Sequence, residues 1–463
     1  LDGQRHQEAT QRRKGKPQMT WQLVLEFAVV LAAIFLGSRS GGVSLGLWGG
    51  AGVLVLSFGF GLQPTSPPID VMLIILAVIM AASVMEAAGG IDYLVGVAEK
   101  IIRKNPKQIT IVAPLVCYLF PLGAGTGHVF YPLLPIIYQV AYENGIRPER
   151  PMAVSTIASQ QAITASPVSA AMAAMIAMYE PLGIGLPQIM MICVPSTIIG
   201  VVFAALVQTR IGKELKDDPE YQRRLEAGEL KPADNSNGKG PGGSELPPGA
   251  KISAVMFLTG VGLIVLAGLF PALRPDFPKG EGMVTLGMAD TIQIVMLSLA
   301  ALMLLVTKTP AAKIPKTDVA QAGLTAVIGI FGLAWLGDTF IKGNEQVIIG
   351  GIGEITAAYP ITFAFGLFFA SVLLFSQAAT TRALMPLGIS LGIPSGNLIA
   401  MWPAVNGYFF LPTYGSLIAA INFDRTGTTR IGRFVLNHSF MIPGLVATFS
   451  AIGAGLLIAQ MVL

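Results

Sequence analysis

The 463-residue chain has little of what most enzymes and metalloproteins are built from: two cysteines, three histidines and only 12% charged residues. Cys117 and Cys193 each lie inside an apolar run with no histidine or cysteine at ligand spacing. Neither a disulfide framework nor a metal site is indicated, and both read as packing residues. There is no H-E-x-x-H pair and no P-loop, which leaves zinc hydrolysis and ATP-driven work without a sequence basis. A G-x-S-x-G match does occur at Gly42 to Gly46. It opens an apolar helix rather than a strand-turn-helix elbow, and no Asp and His follow it at a credible site. The chain therefore reads as a non-enzyme with no cofactor. Its charges nearly cancel, 30 Lys and Arg against 26 Asp and Glu, and no nucleic-acid partner is indicated.

What the chain has in abundance is apolar residues, 53% of the sequence, with a mean hydropathy of +0.66. That lies far outside the soluble range and defines an all-α polytopic membrane protein with the lipid bilayer as a partner. Residues 1–18 are polar and basic without the apolar core of a signal peptide, and read as the remnant of an added leader ahead of Met19. With about 20 apolar residues as the template for one crossing, spans fall near 20–38, 42–61, 71–98, 151–180 and 186–209. A second set falls near 251–271, 288–307, 318–341, 395–421 and 438–461. Between the sets, residues 211–250 are first charged and then rich in Gly, Pro, Ser and Asn, which reads as a cytoplasmic linker dividing a first half, 19–210, from a second, 251–463.

Each half also holds an interrupted apolar pair between its third and fourth spans: 109–142, broken at GAGTGH (Gly123 to His128), and 361–392, broken at SQAATT (Ser376 to Thr381). Each arm looks too short to cross and the breaks are small and polar, so these read as re-entrant hairpins whose tips meet inside the protein. Five spans per half is an odd number, which turns the second half upside down relative to the first and makes an inverted repeat. Both fourth spans carry a proline in mid-helix, Pro167 in TASPVSAAMA and Pro412 in FLPTYGSLIA, flanked by Ser166 and Ser169 or by Thr413 and Ser416. A locally unwound helix is expected at both places. The third spans place Glu86 in correspondence with Asp338.

Lysines and arginines of short loops set the orientation. Thirteen, in the stretches around 39, 100–107, 147–150, 308–316 and 425–433, fall on one side, against Arg274, Lys279 and Lys342 on the other. The first side is therefore cytoplasmic, with both natural termini outside.

Arg382 belongs to no loop: it follows the second break, between two apolar runs. A centred Arg costs at least about 2.5 kcal/mol to insert, so a cavity and a negative partner are expected. Either Glu86 or Asp338 supplies a structural ion pair, or the partner is a substrate carboxylate, for which a planar guanidinium suits bidentate binding. The tips add close-approaching amides at Gly125, Thr126 and Gly127, and hydroxyl or amide groups at Ser376, Gln377, Thr380 and Thr381, near helix N-termini that favour anions. Ser166, Pro167, Ser169, Pro412 and Thr413 complete the candidate site. His128 is either a proton or substrate contact or a hydrogen-bonded structural residue. Glu86 and Asp338 are candidates for proton or ion coupling, or ordinary pairing groups.

The runs EKIIRKNPK, GTGH, NGIRPERPMA, ITASPVSAAM, VPSTIIG, AWLGDTF, SQAATTRALMP and FDRTGTTRIGRFVLNHSF together resemble the anaerobic C4-dicarboxylate antiporters of the Dcu family, nearest to the DcuA branch, from about Met19 to Leu463. The resemblance implies exchange of fumarate, malate or aspartate for succinate across a bacterial inner membrane. It also implies kinship with ion-transporter folds that work as dimers by an elevator-like movement. A homodimer is expected on that ground and on the small residues of the Gly46-LWGG-Ala51 run.

Overall fold

The computed structural model describes residues 21–40, 43–67, 69–230, 246–279, 282–344, 347, 359–374, 376–412, 414–432 and 436–463. The first half runs α1 (Trp21–Ser40), α2 (Ser44–Leu54, continued by a π turn to Gly59), α3 (Ile69–Ala87), α4 (Gly90–Lys104) and α5 (Ile109–Ala124). It goes on through α6 (Leu134–Glu143), α7 (Glu149–Gln161), α8 (Ala170–Tyr179) and α9 (Leu186–Gln208). After α10 (Pro219–Glu226) the second half runs α11 (Ala250–Leu269), α12 (Met288–Thr307), α13 (Asp318–Gly343), α14 (Thr362–Leu374), α15 (Gln377–Ser390), α16 (Ser395–Met401), α17 (Gly415–Phe423) and α18 (Met441–Val462). Among the described residues, six helices are long and apolar enough to cross a membrane, and α3 with α4 makes a seventh candidate if the bent pair is one span. Such helices are apolar all round, so they bury against one another or face lipid.

Several expectations meet corrections. The span expected at 71–98 is two elements: the chain breaks at Gly89, which adopts the left-handed φ of +83°, and α4 leaves α3 at 74°. Helix α4 is amphipathic, with Ile91, Ala98 and Ile102 buried and Asp92, Lys100 and Lys104 exposed. Its apolar face is what extended the run in the sequence. The first arm of the first hairpin is longer than expected, because a 3-10 turn at 106–108 joins α5 into 19 helical residues, enough to cross by length. The second hairpin keeps its short arms, α14 of 13 and α15 of 14 residues, each about 20 Å against a core of about 30 Å.

The linker also departs from a wholly unstructured reading. Its first part folds onto the protein: Arg147 pairs with Asp218 at 2.6 Å and with Glu149, and Leu215, Asp218 and Tyr221 are buried. Asp218 caps α10 by accepting from the amides of Glu220 and Tyr221. Residues 231–245, the Gly- and Pro-rich remainder, lie outside the described residues. A short hairpin, β1 (Asp276–Lys279) paired antiparallel with β2 (Gly282–Thr285), is an exposed addition to the helical architecture.

The glycines proposed to face a second copy are largely used within the chain. A Cβ on Gly46 would stand 1.9 Å from the Ile328 carbonyl oxygen, one on Gly49 2.4 Å from Gly332, and one on Gly332 1.7 Å from the Gly46 oxygen. These are backbone-to-backbone contacts of α2 on α13, possible only without side chains. Gly50 faces open space.

Packing between the halves is reciprocal: α2 lies on α13 and α3 on α12, while α9 crosses α18, where a Cβ on Gly200 would meet the Ala447 oxygen at 2.3 Å. The basic loops gather on one face. Arg103 reaches Glu143, Arg150 reaches Glu214, the Glu149 amide donates to Thr428, and Arg224 donates to the Arg425 carbonyl.

Candidate functional site at the helix breaks

Both fourth spans are broken where proline was expected to break them. Helix α7 tightens into a 3-10 turn at 162–164, residues 165–169 carry no helix, and α8 restarts at Ala170. In the second half α16 passes into a 3-10 turn at Trp402–Phe409, and α17 restarts at Gly415.

Both hairpin tips reach Gln160, near the end of α7. Gly125 closes α5 with a left-handed φ of +72°, and a Cβ there would stand 2.5 Å from the Val168 oxygen; one on Gly127 would stand 2.7 Å from Gln160 Nε2. From the other half, Gln377 Nε2 donates to Gln160 Oε1 at 3.0 Å and to Asn406 Oδ1 at 3.2 Å. Asn406 Nδ2 in turn donates to Gln161 Oε1 at 3.2 Å, and Gln161 Nε2 to Thr448 Oγ1 at 3.1 Å. Gln160, Gln161, Gln377 and Asn406 are all buried. This amide network, joining the second tip to both broken helices, contains three residues absent from the sequence expectation: Gln160, Gln161 and Asn406. Their signal was present as paired amides in SQQAIT and a lone one in WPAVNGY, polar groups inside apolar spans.

Most of the expected hydroxyls are engaged internally. Ser169 Oγ accepts from the Met172 amide at 3.0 Å, capping α8, and donates to the Ile163 carbonyl at 2.7 Å. Ser376 Oγ caps α15 by accepting from Ala379, Thr380 donates to the Ser376 carbonyl, and Thr381 donates to the Gln377 carbonyl while accepting from Trp402 Nε1. Ser166 Oγ accepts from the Val168 amide at 3.4 Å, and Pro412 is buried. Thr413 and the side chain of His128 lie outside the described residues. A cavity of about 100 Å³ opens against the first tip, lined by Ala124, Gly125, Thr126, Val168 and Ala170 with apolar side chains of α3. Two larger cavities, of about 570 and 430 Å³, lie on the basic-loop face, away from the tips.

Arg382 projects from a different side of α15. Gln377 and Thr381, four residues apart, share the face turned to the amide network, whereas Arg382 shares a face with Ala378 and Ala379, four and three residues before it. A Cβ on Gly337 of α13 would lie 3.6 Å from Ala383 Cβ, so Asp338 and Arg382 sit on facing helices. The charge of Arg382 acts on Asp338, yet no carboxylate among the described residues lies within 4.0 Å of it, and its Nε is buried without a partner. Glu86 is not part of this site. Its Oε2 accepts from the Val319 amide at 2.9 Å, capping α13, whose 20 further residues carry Asp338 about 30 Å away at 1.5 Å per residue.

Residues 22–463 match the family described as the anaerobic C4-dicarboxylate membrane transporter. The chain is 44% identical over 444 residues to the C4-dicarboxylate transporter DcuA of Wolinella succinogenes, covering 95% of this chain and 100% of that protein. It is 42% identical over 442 residues to the DcuA of Escherichia coli strain K12, again covering 95% and 100%. To the anaerobic C4-dicarboxylate transporter DcuB of Escherichia coli O6:H1 it is 39% identical over 442 residues, covering 94% and 98%. Matched from end to end at these identities, the chain belongs to the DcuA/DcuB family of anaerobic C4-dicarboxylate membrane transporters, and is a transporter rather than an enzyme.

Proposed function

We propose that this chain is a secondary active transporter that exchanges C4-dicarboxylates such as fumarate, malate or aspartate for succinate across the bacterial inner membrane by alternating access. The names of its relatives support the substrate class. The observation that carries the site is Arg382, a guanidinium inside a span whose Nε is buried and unpartnered. A cation held in that state is available for a substrate carboxylate, while the Gln160, Gln377 and Asn406 network, on another side of α15, is a separate candidate for recognition. Asp338, on the facing helix, is the acidic group placed to respond when Arg382 is occupied.

The inverted repeat is supported by the reciprocal packing of α2 on α13 and α3 on α12. The gathering of basic loops supports a cytoplasmic linker and periplasmic natural termini. A homodimer and an elevator-like movement rest on the family alone, since the glycines once read as a dimer face pack within the chain.

Proteoliposomes test the exchange. Uptake of labelled fumarate should require succinate inside the vesicle; equal uptake into vesicles without succinate would replace the exchanger with a uniporter or channel.

A further inference from the structure

The restart of α17 differs from those of α8 and α15. Each of those is capped by its own serine, whereas Tyr414 at the start of α17 makes no capping bond. Leu417 and Ile418 donate to the Tyr414 carbonyl, and no acceptor is seen for the Gly415 and Ser416 amides among the described residues. The N-terminus of this nine-residue helix presents amide donors and the positive end of its dipole.

A second observation stands apart from the helix end. Ser416 Oγ and Tyr408 Oη are buried, at 0% and 2% residue exposure, and among the described residues neither has a hydrogen-bond partner. Buried hydroxyls without partners are rare and destabilising, so this pair suits the place to a polar ligand. Ser416 lies in the first turn, where side chains lean toward the N-terminus. The Tyr408 ring lies 4.6 Å from that of Tyr414. From the first half, the Tyr131 hydroxyl comes within 3.1 Å of where a Cβ on Gly415 would stand, so the turn after the first hairpin tip lies beside the exposed start of the helix.

We propose that the N-terminus of α17, with the hydroxyls of Tyr408 and Ser416, is a carboxylate station for the transported diacid, distinct from Arg382 and bordered by the turn carrying Tyr131. The inference rests on the dicarboxylate reading above. The chemistry is that of an anion at a helix start, with two neutral O–H donors completing its shell.

The test uses purified full-length protein, equilibrium binding of labelled succinate in detergent, and counterflow in proteoliposomes. Tyr408→Phe and Ser416→Ala should each weaken succinate binding and raise KM about tenfold, equivalent to about 1.4 kcal/mol, with maximal exchange within about twofold. Ser416→Thr, which keeps the hydroxyl, should stay near wild type. Thermal midpoints separate this from a structural role: these hydroxyls bond to nothing among the described residues, so removing them should leave stability unchanged or raise it. Wild-type exchange together with an unaltered KM in the Tyr408→Phe/Ser416→Ala double variant would remove the station and leave the transport reading standing. Wild-type protein that neither binds nor exchanges succinate would remove both. A fall in stability of Tyr408→Phe with KM unchanged would make the tyrosine a packing residue and also overturn the station.

Discussion

Replacing Arg382 by alanine is the perturbation with the largest expected effect and the clearest sign. In the resting protein its Nε is buried, no carboxylate among the described residues lies within 4.0 Å, and Asp338 feels its charge only from a distance. Among the described residues little bonding is lost with the side chain, and removing a cation from membrane depth relieves an insertion cost of at least about 2.5 kcal/mol. Arg382→Ala should therefore insert and fold as well as wild type. Transport should respond in the opposite direction. Loss of the charged partner of a desolvated carboxylate costs about 2 to 5 kcal/mol, or roughly 30-fold to several thousandfold in affinity. Arg382→Lys keeps the charge without the planar fork and should fall between. Succinate counterflow in proteoliposomes, with binding measured on the same preparation, reads both quantities. Well-folded Arg382→Ala exchanging succinate within about twofold of wild type, far less than that energy, would make Arg382 a structural cation. So would full recovery of activity on adding Asp338→Asn, because the arginine would then serve only its neighbour.

Other outcomes follow from particular contacts. Gly332→Leu should lower the thermal midpoint severely, since its Cβ alone would overlap the Gly46 oxygen at 1.7 Å; mass measurement in mild detergent should show no accompanying change that tracks with α2 exposure. Glu86→Gln should cost about 0.5 to 2 kcal/mol, the worth of a helix cap, and leave the pH profile of transport unmoved, as befits a cap on α13. Burial works to raise the Asp218 carboxyl, but bonds from Arg147 and from the Tyr221 and Glu220 amides prevail and hold it below its ordinary value. The clamp on α10 is then complete above the unfolded carboxylate value of about 3.9 and is lost as pH falls through the lower folded value. Limited proteolysis near α10 should be slow from about pH 5 to 8 and rise only in stronger acid, and Asp218→Asn should bring the fast cleavage to neutral pH. Single cysteines at 143–150 and 424–430 should label from one face only, and labelling from opposite faces would break the topology.

Five of the expected spans, near 186–209, 251–271, 288–307, 318–341 and 438–461, and both helix breaks were legible because apolar runs and mid-span prolines act locally: Pro167 and Pro412 interrupt their helices wherever the rest of the chain goes. Convergence of the tips was legible as polar, small residues that a membrane interior would otherwise not accept. The partners of those residues were not. Asn406 bonds to Gln161 across 245 positions, and no local pattern in either stretch names the other. The choice between the two readings of Glu86 was not legible for the same reason, since only folding shows that it faces the start of α13. The kink at Gly89 was hidden because an amphipathic surface helix and the end of an apolar span give similar averages over a window.

The cluster around Arg147 limits how the molecule can deform. Arg147, 4% exposed, is held by Glu149 and Asp218; Glu149 also accepts from Ser439 at 2.6 Å, and its amide donates to Thr428. One guanidinium thereby staples the α6–α7 loop, the linker and the loop after α17 into a single block. Prising the loops apart would leave a desolvated charge unmatched, at about 3 to 5 kcal/mol, a price comparable with the binding energy of a small diacid. An excursion that preserves these contacts carries the three segments together as one unit.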